Sequence, residues 1–368
     1  MSTLVERTLN NLQSRRDKLL SGGVNSIPSP FIRFTSEFIG VEQGKYYGVT
    51  GATKSGKTQF ASYMFLYTPL LYAYQNPDKV RLKIFYYSLE ETPEDVTQRL
   101  MSFLLYKFSE GEIRISPTEL QSTNNEKPVP QKVLDALKED KISDILKFFE
   151  DHTYFSPSRN ATGVYNEVRK YMEEHGTVHK KPQIVKDEFG NNKEVQVFDW
   201  YEPNDPDEYV IILFDHLSLI QTERGLSLKL SADKLSEYFV ILRNRYKVTP
   251  VLIQQQAFEM ESLDAFKQNK LRPTAQGLAD SKYPARDENV LLGIFNPFKH
   301  ELPEYKGYDI TQLKDHCRFL EVILNRGGSN GGLVGIYFDG SVCYWTELPT
   351  PKDKAEMSKV YSYIKTLK

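Results

Sequence analysis

One eight-residue loop constrains this chain more than any other feature. It has the complete G-x-x-x-x-G-K-T pattern, in the order Gly51, Ala52, Thr53, Lys54, Ser55, Gly56, Lys57 and Thr58. An apolar run precedes it and a segment of helical periodicity, from Gln59 to Tyr74, follows. In such a loop the backbone N–H groups and the helix N-terminus face phosphate, Lys57 reaches the β- and γ-phosphates, and Thr58 can ligate magnesium. We therefore predict a nucleoside triphosphate site over residues 51–59, against the alternative of a glycine-rich turn without a ligand.

Composition narrows the possible partners and the compartment. Of 368 residues, 26% are charged and the net charge is -2, so DNA contact would require a local patch or several subunits acting together. The cysteines, Cys317 and Cys343, lack metal-ligand spacing, which favours a reducing compartment. No run of 18 apolar residues and no apolar leader occurs. We expect a cytoplasmic protein with no membrane partner.

Apolar strands alternate with helices along the chain. The runs Val80–Ser88, Tyr209–Asp215 and Val248–Gln256 are predicted strands, and Thr92–Phe108 and Ala232–Tyr246 are predicted helices. Further strands are expected over 289–295, 319–325 and 334–338, and helices over 133–150 and 162–175. This alternation predicts an α/β fold with a mostly parallel sheet around the phosphate-binding loop.

Polar residues stand where three predicted strands end, which is the edge at which open α/β sheets bind ligands. Glu90 could be the general base for attack of water on the γ-phosphate, although Glu91 is adjacent and both could merely favour the start of a helix. Asp215 is predicted to lie on the magnesium side of the site. Gln256 could sense the γ-phosphate, or its amide could simply close the strand.

The chain divides into three predicted parts. Residues 1–30 form a helix and linker, and that helix could pack on its own domain or on a neighbouring subunit. Residues 31–348 form the α/β domain, with a β-hairpin insertion at about 178–206 whose lysines are expected to be solvated rather than bound to DNA. Residues 349–368 form a polar, weakly helical tail. The long segment 263–287 carries several cations and has the length of a functional loop.

The order of these parts resembles the RecA-like motor domain of DnaB-type replicative helicases, over about residues 30–346. The matching motifs keep the family's order and spacing. They are the loop at 51–58, Ser88-Leu89-Glu90, Asp215, Gln256, Arg272-Pro273, Leu278-x-Asp280-Ser281 and Glu321-Val322-Ile323-Leu324-Asn325-Arg326.

The resemblance implies a ring, usually hexameric, with ATP between subunits and single-stranded DNA through the centre. Glu90 would activate water, Asp215 would hold magnesium through water, and Gln256 would sense the γ-phosphate, with Lys57 and Thr58 on phosphate and metal. Arg326 would be the finger supplied to the neighbouring subunit's site. The predicted DNA contacts are Lys267, Lys270, Arg272, Asp280, Ser281 and Lys282.

Two features depart from the family. Only one cation stands near the expected finger, and fewer than 30 residues precede the core, so the domain by which bacterial members of the family engage primase is expected to be absent. A phage-like form acting in the host cytoplasm is therefore expected, with primase, polymerase or a loader as further partners. The competing functions are a RecA/RadA-like recombinase and a regulatory or loader ATPase that acts on a protein.

Overall fold

The structure, a computed structural model, describes residues 3–186, 188–257 and 271–367. Its strands are numbered in chain order. They are β1 (Ser26–Pro28), β2 (Gly40–Glu42), β3 (Tyr47–Gly51), β4 (Arg81–Ser88), β5 (Thr153–Phe155), β6 (Gly176–Lys186), β7 (Asn192–Pro203), β8 (Glu208–Asp215), β9 (Thr249–Gln255), β10 (Val290–Phe295), β11 (Glu304–Tyr305), β12 (Tyr308–Asp309), β13 (Cys317–Asn325), β14 (Leu333–Asp339) and β15 (Tyr344–Glu347).

The α-helices of the described ranges connect these strands. They are α1 (Leu4–Leu20), α2 (Lys57–Ser62), α3 (Thr68–Gln75), α4 (Pro93–Phe108), α5 (Pro117–Leu120), α6 (Gln131–Leu137), α7 (Asp140–His152), α8 (Ala161–Glu174), α9 (Leu228–Tyr246), α10 (Pro284–Asp287), α11 (Ile310–Leu313) and α12 (Lys354–Thr366). A π-helical turn, Tyr63–Tyr67, joins α2 to α3. None of these helices combines the length and apolarity that a membrane span requires.

The central element is a nine-stranded sheet of order β15-β14-β13-β10-β3-β9-β8-β4-β5. The strands from β10 to β5 run parallel, and β13, β14 and β15 extend the sheet as an antiparallel wing. Because β3, β9, β8 and β4 are consecutive, their C-terminal ends meet at one edge. The predicted α/β fold with a mostly parallel sheet is confirmed.

Apolar side chains cover both faces of the sheet, as expected for parallel strands with helices on each side. One core contains Phe65 and Phe103 with the α2–α4 face, and a second contains Phe214 and Phe239 with α8 and α9. Helix α4 begins at Pro93, as predicted, because Thr92 and Asp95 form a capping box. Helices therefore pack on both faces of the sheet from which the phosphate loop extends.

The single helix predicted over 133–150 is wrong, since two helices, α6 and α7, occupy this stretch. The buried side chains explain the break. Ala136 is the last buried residue of α6 and Ile142 the first of α7. A spacing of six residues does not return to the same helical face, so one straight helix could not bury both sets.

Helix α1 lies on its own chain through charged rather than apolar contacts. Lys18 forms an ion pair with Asp207, and Arg7 lies 3.6 Å from the carboxylate of Asp199 and 5.5 Å from the ring of Trp200. No residue of α1 is buried. Its leucines point outward and are among the most exposed large apolar side chains of the described residues.

The inserted hairpin is longer than the two short strands that its sequence predicts, Gln183–Lys186 and Glu194–Trp200. Strands β6 and β7 pair from Gly176 and Pro203 at the base to Lys186 and Asn192 near the tip. Asp199, on β7, forms ion pairs with both Arg7 and Lys181 of β6. The base of the hairpin is thus the surface on which α1 rests.

Candidate functional site

The phosphate loop takes the conformation that its glycines permit. Gly56 has φ 95°, in the left-handed region that favours glycine. A Cβ atom on Gly51 would lie 2.6 Å from the carbonyl oxygen of Ile294, so that position admits no side chain. Lys57 begins α2 and donates from Nζ to the carbonyl oxygen of Ala52 at 2.8 Å. Its ammonium group is therefore already inside the curve of the loop, where phosphate would bind.

Thr58 and Asp215 meet across the site. The Thr58 hydroxyl donates to Oδ1 of Asp215 at 3.2 Å, although the residues are 157 positions apart. Asp215 is 2% exposed. Its burial, reinforced by the carboxylates of Glu91 and Glu90, raises its pKa to about 7, against the opposing hydrogen bond from Thr58.

This pair fits a magnesium ion. Hydroxyl and carboxylate oxygens are the donors that magnesium prefers, and a cation would stabilise the charged form of the buried Asp215. Within the described ranges no cluster of three His, Cys, Asp or Glu side chains could hold a metal by itself. Water and phosphate oxygens would therefore complete the coordination.

Glu90 and Glu91 follow β4 but have different surroundings. The carboxylate of Glu91 forms an ion pair with Arg99 of α4, and its backbone N–H donates to the Ser88 hydroxyl. The Glu90 side chain is 61% exposed, and its Oε2 lies 3.6 Å from Nε2 of His216. Burial lowers the pKa of His216, against the opposing carboxylate of Glu90, and so favours the neutral imidazole. Glu90 is therefore the exposed acid of the two, and it lies beside His216, the residue that follows Asp215.

The amide of Gln256 connects the phosphate loop to the segment beyond β9. Its Nε2 donates to the Thr50 hydroxyl at 2.9 Å and to the Thr274 carbonyl at 3.0 Å. Two residues earlier, the amide of Gln254 donates to the carbonyl oxygens of Ala279 and Ser281. The end of β9 is thus hydrogen-bonded to both sides of the 271–282 segment.

Among the described residues, the predicted DNA contacts Arg272, Asp280 and Ser281 each have a protein partner. Arg272 forms an ion pair with Glu321 at 3.1 Å, beside β13. Ser281 is buried, and its hydroxyl donates to Asp233 of α9 at 2.5 Å. Asp280 accepts from the Ser218 hydroxyl, and Lys282 is exposed next to it. Lys267 and Lys270 lie outside the described residues.

Arg326 lies at the opposite edge of the sheet. It follows β13, whose Asn325 pairs with Val290 at the start of β10, whereas Gly51 is aligned with Ile294 near the end of β10. The Nε of Arg326 donates to the carbonyl oxygen of Glu288 at 2.8 Å. Arg326 therefore cannot reach the phosphate loop of its own chain.

Sequence reasoning missed two cations that hold the phosphate loop. Arg318 donates from Nε to the carbonyl oxygen of Ser55 at 2.8 Å, and Lys299 donates from Nζ to that of Thr53 at 2.8 Å. Arg318 had one available signal, an arginine between Cys317 and Phe319 at the start of a largely apolar run, because a buried cation requires partners. Lys299 lies in a short helical turn, Phe298–His300, after β10 and has no such signal.

No protein-family model matches the sequence, and no curated protein matches it. Among solved structures, the ATPase domain of G40P superposes with a TM-score of 0.65 at 13% identity, covering 95% of this chain and 100% of that one. A DnaB-like replicative helicase, in a structure that also concerns its interactions with primase, gives 0.60 at 14% identity, covering 95% and 68%. The RadB recombinase gives 0.40 at 12% identity, covering 83% and 93%.

The chain therefore has the RecA-type fold of DnaB-like helicase ATPase domains, along nearly its whole length.

Proposed function

We propose that this protein is an ATP-dependent motor of the DnaB type that moves along single-stranded DNA as a ring. The observation that carries the proposal is the contact between Thr58 and Asp215, at the edge where Lys57 and Glu90 also lie. A phosphate-binding lysine, a hydroxyl and acid pair for magnesium, and an open carboxylate are the parts that phosphoryl transfer requires.

Each side chain has one role in the proposed reaction. Lys57 leaves the Ala52 carbonyl and binds the β- and γ-phosphates. Thr58 and Asp215 would hold a magnesium ion, and that ion would supply positive charge to neutralise the phosphates. Glu90 accepts a proton from the attacking water, since Glu91 is committed to Arg99. Gln256 sits between Thr50 and Thr274, where a change at the γ-phosphate would be passed to the following loop.

A ring is supported by the placement of Arg326 and α1. Arg326 lies at the edge opposite to the phosphate loop, so a head-to-tail neighbour would bring it to the next site. The exposed leucines of α1 give each subunit an apolar helix face for the same neighbour. A closed head-to-tail ring would satisfy both in every subunit.

The test is ATP hydrolysis with and without single-stranded DNA, together with native mass. We expect a ring in the presence of ATP and a DNA-stimulated rate, with Lys57→Ala abolishing hydrolysis in both conditions. A rate of ATP hydrolysis that is unchanged by DNA but increased by a protein partner would favour the loader ATPase. That alternative has one observation in its favour, the neutralisation of Arg272 by Glu321. Filaments that pair homologous strands would favour a recombinase.

A further inference from the structure

The guanidinium of Arg318 lies behind the phosphate loop and is held through its Nε and Nη1 atoms. Besides the Ser55 carbonyl, it donates from Nη1 to the carbonyl oxygens of Asp315 at 2.8 Å and Cys317 at 2.7 Å. The Asp315 carboxylate lies 3.1 Å from the same nitrogen. Arg318 is 2% exposed. A buried cation with these acceptors has one available position, so the carbonyl of Ser55 is held in one direction.

The geometry points to Arg318 as a positioning residue for nucleotide binding, an inference that rests on the proposed function. The Ser55–Gly56 peptide is planar and its C=O and N–H point in nearly opposite directions. By binding the carbonyl from the side of β13, Arg318 turns the N–H of Gly56 toward the other side of the loop. On that side the N–H groups of a phosphate loop surround the phosphates.

The antiparallel wing supports this arrangement with aromatic side chains. The guanidinium of Arg318 lies 4.6 Å from the ring centre of Phe338, and that ring lies 4.2 Å from the ring of Trp345. A Cβ atom on Gly56 would come within 3.2 Å of Trp345, so the wing is in contact with the loop itself. Lys299, which is exposed, donates a hydrogen bond to the Thr53 carbonyl and so restrains a second peptide group of the loop.

The experiment compares Arg318→Met and Arg318→Lys with Arg114→Met as a matched control. Arg114 is also held on the wing, through Asp339 at 2.7 Å, but it binds that side chain and not a loop carbonyl. The measurements are the Kd for ADP by calorimetry, without DNA and below each variant's melting temperature, and the KM and kcat for ATP.

We expect Arg318→Met to raise the Kd for ADP about tenfold, which corresponds to about 1.4 kcal/mol. The KM should rise more than kcat falls, because the Gly56 N–H binds phosphate in the ground state and the transition state alike. Arg318→Lys, which keeps one donor, should recover part of the affinity. Arg114→Met should lower the melting temperature and leave the Kd at the parent value.

An unchanged Kd in Arg318→Met, or an equal rise in Arg114→Met, would overturn the inference. If Arg318→Met does not fold, Arg318→Lys and the parent chain decide. In the parent, the slowly exchanging Nε–H signal of ¹⁵N-labelled Arg318 should move when ADP binds, and a signal that stays in place contradicts the assignment. If the parent protein binds no ADP, the proposed function is overturned as well. If it binds ADP but hydrolyses ATP independently of DNA, the proposed DNA motor is rejected while the role of Arg318 in nucleotide binding stands.

Discussion

At the end of β4, two adjacent carboxylates are separated by what each one touches. Glu90→Gln should retain nucleotide binding and reduce turnover by at least about a hundredfold, because an amide cannot accept the proton from water. Glu91→Gln should keep turnover but lose about 2 kcal/mol of stability, since it leaves Arg99 without its charged partner. Single-turnover hydrolysis and urea unfolding measure the two effects. If Glu90→Gln is active and Glu91→Gln is inactive, Glu91 and not Glu90 is the general base.

Glu288 predicts a pH dependence of stability. Its carboxyl is fully buried, which raises its pKa to about 8 from an ordinary 4.5, with Asp287 adding to the shift and Arg326 opposing it. Between these values the folded chain retains a proton that the unfolded chain has lost. The free energy of unfolding should therefore fall as pH rises from about 5 to about 8, by up to about 1.4 kcal/mol per pH unit.

The measurement for Glu288 is urea unfolding across that pH range. Glu288→Gln carries no titrating proton, so its curve should be flatter than the parent's, and the two should separate most near pH 8. Glu150→Gln, an exposed site on α7, controls for the loss of a carboxylate. Parallel curves for parent and Glu288→Gln would show that this group does not titrate in the range.

Some residue roles follow from the sequence and others need the fold. The pattern at 51–58 and the acid at the end of β8 were sufficient to predict which side chains would meet, and Thr58 and Asp215 do meet. Glu90 and Glu91 are equivalent in the sequence, and only the position of Arg99 separates them. Arg318 touches a residue 263 positions away, a contact set by strand order and not by any local pattern.

Helices and strands could be predicted where a long run of residues kept the apolar periodicity and where capping or polar residues marked its ends. Helix α4 begins at its predicted proline, and β4, β8 and β9 begin and end within a residue or so of their predicted bounds. The division between α6 and α7 was missed because both segments are helical and only the phase of their apolar residues changes. The length of the β6–β7 hairpin was missed because its exposed strands have little apolar alternation.

Helix α1 supports a prediction about assembly. Leu9 and Leu12 are each 59% exposed, so replacing both with Glu should change the free energy of unfolding by no more than about 0.5 kcal/mol. The same change should abolish the ring in native mass spectrometry if this face binds the neighbour. Asn10→Glu with Asn11→Glu adds the same charge to the same helix and should leave the ring intact. A ring that survives Leu9→Glu with Leu12→Glu would confine α1 to its own subunit.

At the scale of the whole molecule, a chain of net charge -2 cannot attract DNA through its overall field. A ring would repeat the exposed Lys282 once per subunit around a common channel. Lys282→Glu should therefore reduce the stimulation of hydrolysis by single-stranded DNA and leave the basal rate unchanged, with binding that weakens steeply as salt rises. Lys147→Glu, on the outer surface of α7, is the matched control and should have no effect. If single-stranded DNA stimulates ATP hydrolysis equally in Lys282→Glu and in the parent, Lys282 does not contact the DNA.

Strand β13 runs from one functional end of the molecule to the other. Arg318, near its start, grips the chain's own phosphate loop, and Arg326 follows its last residue, about 26 Å away along an extended backbone. Hydrogen bonds to β10 and β14 hold the strand on both sides. An extended backbone that is hydrogen-bonded on both sides stretches very little. In the proposed ring, β13 would therefore transmit a displacement from one of its ends to the other. Neighbouring nucleotide sites would then be mechanically coupled. A displacement of the phosphate loop in one subunit would move Arg326 of that subunit, which completes the site of the next subunit.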